Sequence, residues 1–393
     1  MSCPLRFCNA PTVNTTLAPT VPPLPANSLD GKVDSFTANV KVTAAPLQGL
    51  RVTGSYERDS RENKTPVRSF PTVTTDMFVG TTPQSNTPFS FTLDRFKLIG
   101  DYSGGLPNNT RLTGGAEYDM RERTYQEVVT TREMTLWGKF TAQPTEKLST
   151  WLKYAYSWRD NSTYGTSIWF GYPENPLLRK FYLADRERNM VEGRLDYAIN
   201  EKVSVGVSAD YADDDYTHSS VGLTSARSAN VAVELATVFT ERTQGRAYFQ
   251  TQQIRSKQGG SEAFAVPDWT GRMKDTFDVF GIGVKHVAIP EKLEIGADFT
   301  VSRSKSEVAV DNVLAAAPFP NAKTKLEAFK LYGTYNLKDN VSITGSYQYE
   351  HYDTNDWRLD GIDPATVSNL LALGAQPPNY SVNVFRVAVR YKF

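Results

Sequence analysis

Cysteine is all but missing. Cys3 and Cys8 are the only two in 393 residues, and nothing after residue 8 could join a disulfide framework. Their four-residue gap is not the two-residue gap of common zinc or redox motifs, which leaves an exposed pair of no functional weight or a local disulfide. No CxxCH occurs, so the chain cannot attach c-type haem itself. Net charge is absent as well: 43 Lys+Arg balance 43 Asp+Glu, which gives no reason to expect nucleic acid or another polyanion as partner. With a mean hydropathy of −0.42 and no apolar run near the roughly 18 residues of a spanning helix, a helical membrane protein is excluded. Residues 1–30 lack a basic start followed by an apolar stretch, so either the protein stays in the cytoplasm or the sequence begins after its true N-terminus.

What the chain does have is aromatic residues and alternation. With 20 Phe, 20 Tyr and 6 Trp it is too aromatic for a solvated, disordered chain. From residue 33 onward, apolar and polar residues alternate with period two, as in Leu293, Ile295, Ala297, Phe299 and Val301 against Glu294, Gly296, Asp298, Thr300 and Ser302. LRVTGSY from Leu50 and VSITGSY from Val341 are copies of one pattern, with looser copies from Val203 and Leu293, and each follows a short turn. Tight turns join antiparallel strands into hairpins.

About fifteen strands are predicted, near 33–43, 50–58, 91–103, 110–121, 132–142, 148–158, 187–198, 202–212, 228–240, 242–254, 273–287, 292–303, 324–337, 341–352 and 381–393. Most are longer than the five or six residues usual in globular sheets and match what a tilted strand needs to cross a bilayer. Short turns alternate strictly with long polar loops at 59–90, 159–186, 213–227, 255–272, 304–323 and 353–380. That is the pattern of a bacterial outer-membrane barrel, with short turns in the periplasm and long loops outside. The expected fold is all-β, a transmembrane antiparallel up-and-down β-barrel over 31–393, preceded by an irregular segment at 1–30. An odd strand count with the last strand ending in the periplasm puts the start of the first outside, so the barrel is expected to be incomplete at its N-terminal side.

Phe385, Val387, Val389, Tyr391 and Phe393 share one face of the last strand, and Arg386, Arg390 and Lys392 share the other. A chain that ends in Phe behind such alternation resembles the C-terminal assembly signal of outer-membrane barrels. NPLLRKFYLADRER from Asn175, DDDYTHSSVGLTSARS from Asp213, and Trp357 with the loop from Asp360 to Tyr380 further resemble the MtrB/PioB family of decahaem-associated outer-membrane proteins. The resemblance runs from about residue 30 to the end and corresponds to the C-terminal part of a longer family barrel. It implies some two dozen strands sheathing a periplasmic multihaem c-type cytochrome, often with a second, extracellular multihaem cytochrome docked outside, and haem c carried by the partner alone.

The remaining candidates weigh less. His218, His286 and His351 are far apart in sequence and read as ordinary loop or wall residues. Asp210, Asp213, Asp214 and Asp215 lack EF-hand spacing and read as a solvated loop rim rather than a calcium site. Gly281 and Gly283 fail as a phosphate loop, and no catalytic triad is recognisable, so no enzyme is expected. The polar strand faces are expected to line the lumen, and contact to a cytochrome is expected from Arg51, Glu57, Lys153, Asp210, Asp298, Gln348, Arg386 and Arg390. A water-filled porin or solute transporter would need the same faces, so the function is either a cytochrome sheath for electron transfer across the outer membrane or a general porin.

Overall fold

The computed structural model describes residues 22–71, 73–75, 78–79, 83–165, 174–311, 319–355, 357 and 379–392. Cys3, Cys8 and Phe393 lie outside these residues. Fifteen long strands follow one another: β1 Val33–Leu47, β2 Leu50–Asn63, β3 Phe91–Tyr102, β4 Arg111–Arg123, β5 Thr130–Thr145, β6 Leu148–Asn161, β7 Arg186–Asn200 and β8 Val203–Asp215. Then come β9 Val221–Thr240, β10 Thr243–Gly260, β11 Trp269–Ile289, β12 Leu293–Asp311, β13 Ala322–Lys338, β14 Val341–Asn355 and β15 Tyr380–Tyr391. Each pairs antiparallel with its sequence neighbours in a single meander, and the short segment Leu178–Arg179 adds a parallel bridge to the start of β9. Among the described residues β1 and β15 are not paired with each other. No helix among them is long and apolar enough to cross a membrane.

Period two decides the faces, because cross-strand partners project to the same side. One cross-strand row runs Val205, Leu235, Ala247, Ile282, Phe299, Phe329 and Tyr349, almost wholly apolar. On this face the large hydrophobics stay exposed, among them Phe96, Leu152, Val191, Phe280 and Ile282. The polar face is the half-buried one. That inverts the pattern of a water-soluble protein and fits a sheet curled with its apolar side to lipid and its polar side inward.

Aromatic residues mark both edges of the apolar band. Tyr102, Phe140, Tyr197, Phe239, Tyr335 and Tyr391 stand exposed near the short turns. Towards the long loops, Tyr56 packs on Phe96 with ring centroids 4.8 Å apart and Tyr347 on Phe385 at 4.9 Å. Tyr197 is opposite Val205, and the rise from Val205 to Tyr211 along β8 is about 20 Å at the usual strand pitch. At a tilt of about 40° that stretch covers about 15 Å of the apolar band, which is about 25 Å tall in outer-membrane barrels.

The short turns share one construction. The backbone carbonyls of Lys147, Lys202, Arg242, Lys292 and Asn340 each accept a 2.8 Å hydrogen bond from the strand beyond the next, at Ala198, Val238, Val287, Asn336 and Lys392. In the first turn Gly49 has φ 79°, and a side chain there would run into the backbone of Gly104.

Two expectations need correction. Turn and loop lengths do not alternate strictly: the turn-side connection 103–110 is longer than the loop-side connections 124–129 and 216–220. The segments expected as loops at 213–227, 255–272 and 304–323 begin and end in strand, since β8 to β13 continue beyond the aromatic belt. Water wets both faces there, so the alternation that betrays a strand disappears. Asp213, Asp214 and Asp215 therefore lie on β8 and not on a loop rim, with Asp213 and Asp215 facing outward and Asp210 and Asp214 inward.

Candidate functional site

The inner face is the surface with chemistry to offer. Along it, cross-strand register places opposite charges side by side. Arg51 reaches Asp101 at 3.8 Å, Arg95 reaches Glu57 at 3.6 Å and Asp119 at 2.9 Å, and Lys97 meets Glu117 at 2.8 Å. Further round, Lys153 meets Glu192 at 2.9 Å, Arg194 pairs with Asp196 at 2.9 Å and Glu234 at 3.0 Å, and Arg246 pairs with Asp298 at 2.8 Å. Asp210 accepts a 2.9 Å hydrogen bond from Asn230, which in turn accepts one from Gln250.

Inner rings lie down against the wall. A side chain at Gly281 would clash with the ring of Tyr248, one at Gly296 with that of Tyr332, and one at Gly115 with that of Trp137. Each of these glycines leaves the space in which a neighbouring strand's ring lies flat. Lys139 stands 4.3 Å from the Trp151 ring centroid and Lys153 5.8 Å from that of Trp137, so long cations are also held along the sheet. The result is a wall of low relief with most of its charges paired.

All eight residues expected to contact a partner fall on this inner face, spread over β2, β6, β8, β12, β14 and β15. No two of them touch, so they form a lining and not a cluster. Gln348 bonds Glu350 at 3.5 Å, while Arg386 and Arg390 on the edge strand have no ion-pair partner among the described residues. The three histidines stay apart: His218 bonds Asp185, His286 bonds Thr243, and His351 bonds Ser381 and Asp353.

One dense site was not anticipated. On the loop side of the aromatic belt, Glu133 takes Arg186 at 2.7 Å and Arg159 at 4.0 Å, and Asp214 stands 3.6 Å from both Arg186 Nε and Arg188 Nε. The segment 174–185 folds inward over this network. Arg159 donates to the carbonyls of Ala184 at 2.8 Å and Phe181 at 2.6 Å, and Asn161 donates to Asp185 at 2.9 Å. Lys180 is paired with Glu127 and, at 3.1 Å, with Glu174, while Asn175 reaches the Ala265 carbonyl at 3.0 Å. Leu183 and Val128 are the largest fully buried side chains among the described residues, so such core as exists sits here.

Burial sets the electrostatics of this corner. It pushes the Asp214 carboxyl up against the pull of Arg188, Arg186 and Arg159. It also pushes Arg123 down to about 10, helped by the neighbouring charges of Arg121 and Arg159. The two segments that carried the family likeness, YLADRER and DDDY, meet at this point, with Arg188 opposite Asp214 and Glu187 opposite Asp215. A clue was present in the sequence, since Arg186 and Arg188 are two residues apart on a strand and must share a face.

The sequence profile of the family described as "Putative outer membrane beta-barrel porin, MtrB/PioB" matches residues 9–393. "Outer membrane protein MtrB" of Shewanella baltica (strain OS185) is 32% identical over 370 residues, covering 94% of this chain and 52% of that protein. The chain thus spans about half the length of that relative. Among solved structures, the FrpB iron transporter from Neisseria meningitidis (F3-3 variant) aligns over 92% of this chain and 57% of its own, at 11% identity and a TM-score of 0.47. The anion-selective porin from Comamonas acidovorans aligns over 92% of this chain and 100% of its own, at 8% identity and a TM-score of 0.36.

Proposed function

The chain belongs to the MtrB/PioB family of outer-membrane β-barrel proteins, and from that premise we propose that it forms the wall of a sheath around a multihaem c-type cytochrome. The sheath holds and insulates the cytochrome while electrons cross the outer membrane. The observation that carries this reading is the low relief and internal charge balance of the inner face. A folded protein can approach such a wall closely without stranding an unpaired charge, because Lys97, Lys153, Arg194 and Arg246 already have partners. Selective passage of one ionic solute usually calls for rings of one charge sign, and the inner face alternates signs instead.

In this reading the haem belongs to the partner, and the chain itself binds no cofactor and catalyses nothing. Arg51, Glu57, Asp210, Asp298, Gln348, Arg386 and Arg390 contribute to docking a little each, with Lys153 beside them. A second, extracellular cytochrome would meet the loop side.

Liposomes test the reading. With the complete protein and its multihaem partner reconstituted together, an external reductant should reduce an enclosed dye, and neither component should suffice alone. If electron transfer in cells survives deletion of the barrel, and the barrel without cytochrome passes small solutes freely, the porin reading replaces this one.

A further inference from the structure

Beyond the aromatic belt on the loop side, the outward face of β9 to β13 turns from apolar to cationic. Register sets Arg227 opposite Arg255 and Arg255 opposite Lys274. Two strands on, Arg303 stands opposite Lys325 and Lys305 opposite Lys323. Like charges directly opposite one another destabilise a sheet. Asp213 relieves Arg227 at 3.1 Å, but on this face the cations of β9 to β13 outnumber the outward carboxylates beside them. The face's parity is that of Val231, Phe249, Phe280 and Val301, the lipid-facing set, so the cations do not belong to the lumen.

Lys274, Arg303, Lys305, Lys323 and Lys325 line a concave surface enclosing about 530 Å3, together with the carboxylates of Asp278, Glu307 and Asp353. The carboxylates are engaged: Glu307 with Lys305 and, at 3.6 Å, Lys274; Asp353 with His351 at 3.1 Å; Asp278 with the Thr251 hydroxyl at 2.6 Å. Lys325 pairs with Glu327 at 2.6 Å, which leaves Arg303 and Lys323 with no ion-pair partner among the described residues. Directly towards the membrane from this surface lie Phe280, Phe299 and Phe329. The position is that of headgroups in the outer leaflet, where a basic pocket at the lipid boundary selects anionic headgroups.

We propose that this patch binds the phosphorylated headgroup of an outer-leaflet glycolipid, whose acyl chains lie along the phenylalanines below. The phosphates supply the anions that Arg303 and Lys323 lack. The site is independent of the lumen and of any cytochrome.

The complete protein, purified in detergent free of glycolipid, would be titrated with bisphosphorylated lipid A in mixed micelles and the complexes counted by native mass spectrometry. Replacing Arg303, Lys305, Lys323 and Lys325 together by Gln should weaken binding by about tenfold or more, and dephosphorylated lipid A should bind the native protein no better than that variant does. Phosphatidylglycerol or inorganic phosphate at equal concentration should not displace the glycolipid. A second measurement fixes the sign: without glycolipid Lys323→Gln should melt no lower than the native protein, because Lys323 faces Lys305 and has no ion-pair partner among the described residues, and with glycolipid the native protein should gain more than the variant. Equal affinity for variant and native protein, or equal displacement by phosphatidylglycerol or free phosphate, would overturn the assignment. Should the fourfold variant fail to fold, Lys323→Gln alone decides by the same comparison, with a loss of about threefold expected.

Discussion

Ile343 and Thr344 are adjacent, yet they belong to different solvents. Ile343 sits in the outward row between Tyr335 and Val389, whereas Thr344 turns inward and shares a 3.0 Å hydrogen bond with Thr334. An Arg at Ile343, Ile295 or Val205 puts a charge on the lipid face beside the turn-side aromatic belt and should cost about 1 kcal/mol, rising towards roughly 2 to 4 kcal/mol for an Arg deeper in the band, as at Val207 or Val233. Arg at Thr344 should be nearly neutral, and a folding titration into lipid vesicles measures both. Equal damage at the two positions would mean that the faces are assigned wrongly. Which face Arg51, Glu57 or Asp298 takes is legible from parity alone. Which partner each meets is not, since Asp101, Arg95 and Arg246 sit on other strands and the pairing depends on how the connections set the register. The Glu133, Arg159 and Arg186 network was hidden for the same reason: its members come from three strands, and 174–185 must fold inward to cover them.

Strands were the most readable elements wherever lipid touches one face. All fifteen fall where alternation puts them, because lipid and lumen impose opposite demands on successive residues. Their loop-side extensions were illegible because that contrast ends with the bilayer; Val221–Arg227 and the last residues of β12 read as loop and are strand. The terminal strand keeps its full signal. Phe385 and Val387 are 78% and 76% exposed, the highest among the large hydrophobics, because β15 has a neighbour on one side only among the described residues. If Phe385, Val387, Val389, Tyr391 and Phe393 form the pattern read by the insertion machinery, deleting Phe393 from a full-length, signal-bearing version should lower outer-membrane levels on immunoblots. A frayed end of ordinary kind would tolerate the deletion, so undiminished insertion would count against that role.

At the scale of the molecule, direction matters more than number. β1 and β15 both run from the loop side to the turn side, so pairing them directly would make a parallel junction. A second copy in the same orientation would create the same parallel junction twice. All-antiparallel closure calls for an odd number of further strands between β15 and β1, and edges left open in lipid expose backbone groups at several kcal/mol each. The fifteen described strands alone should therefore give no heat-modifiable, protease-resistant monomer in detergent, while a version with an odd number of further strands should; gel mobility with and without boiling distinguishes the two. The neighbour-only pairing of the meander also has a consequence for chain entropy. Each new strand closes only a turn or one loop before hydrogen bonds reward it, so the sheet can grow hairpin by hairpin from any point. Only the final junction must bring together residues separated by nearly the whole sheet. With each doubling of loop length costing about 0.6 kcal/mol, roughly seven doublings set that one step about 4 kcal/mol higher than closing a two-residue turn.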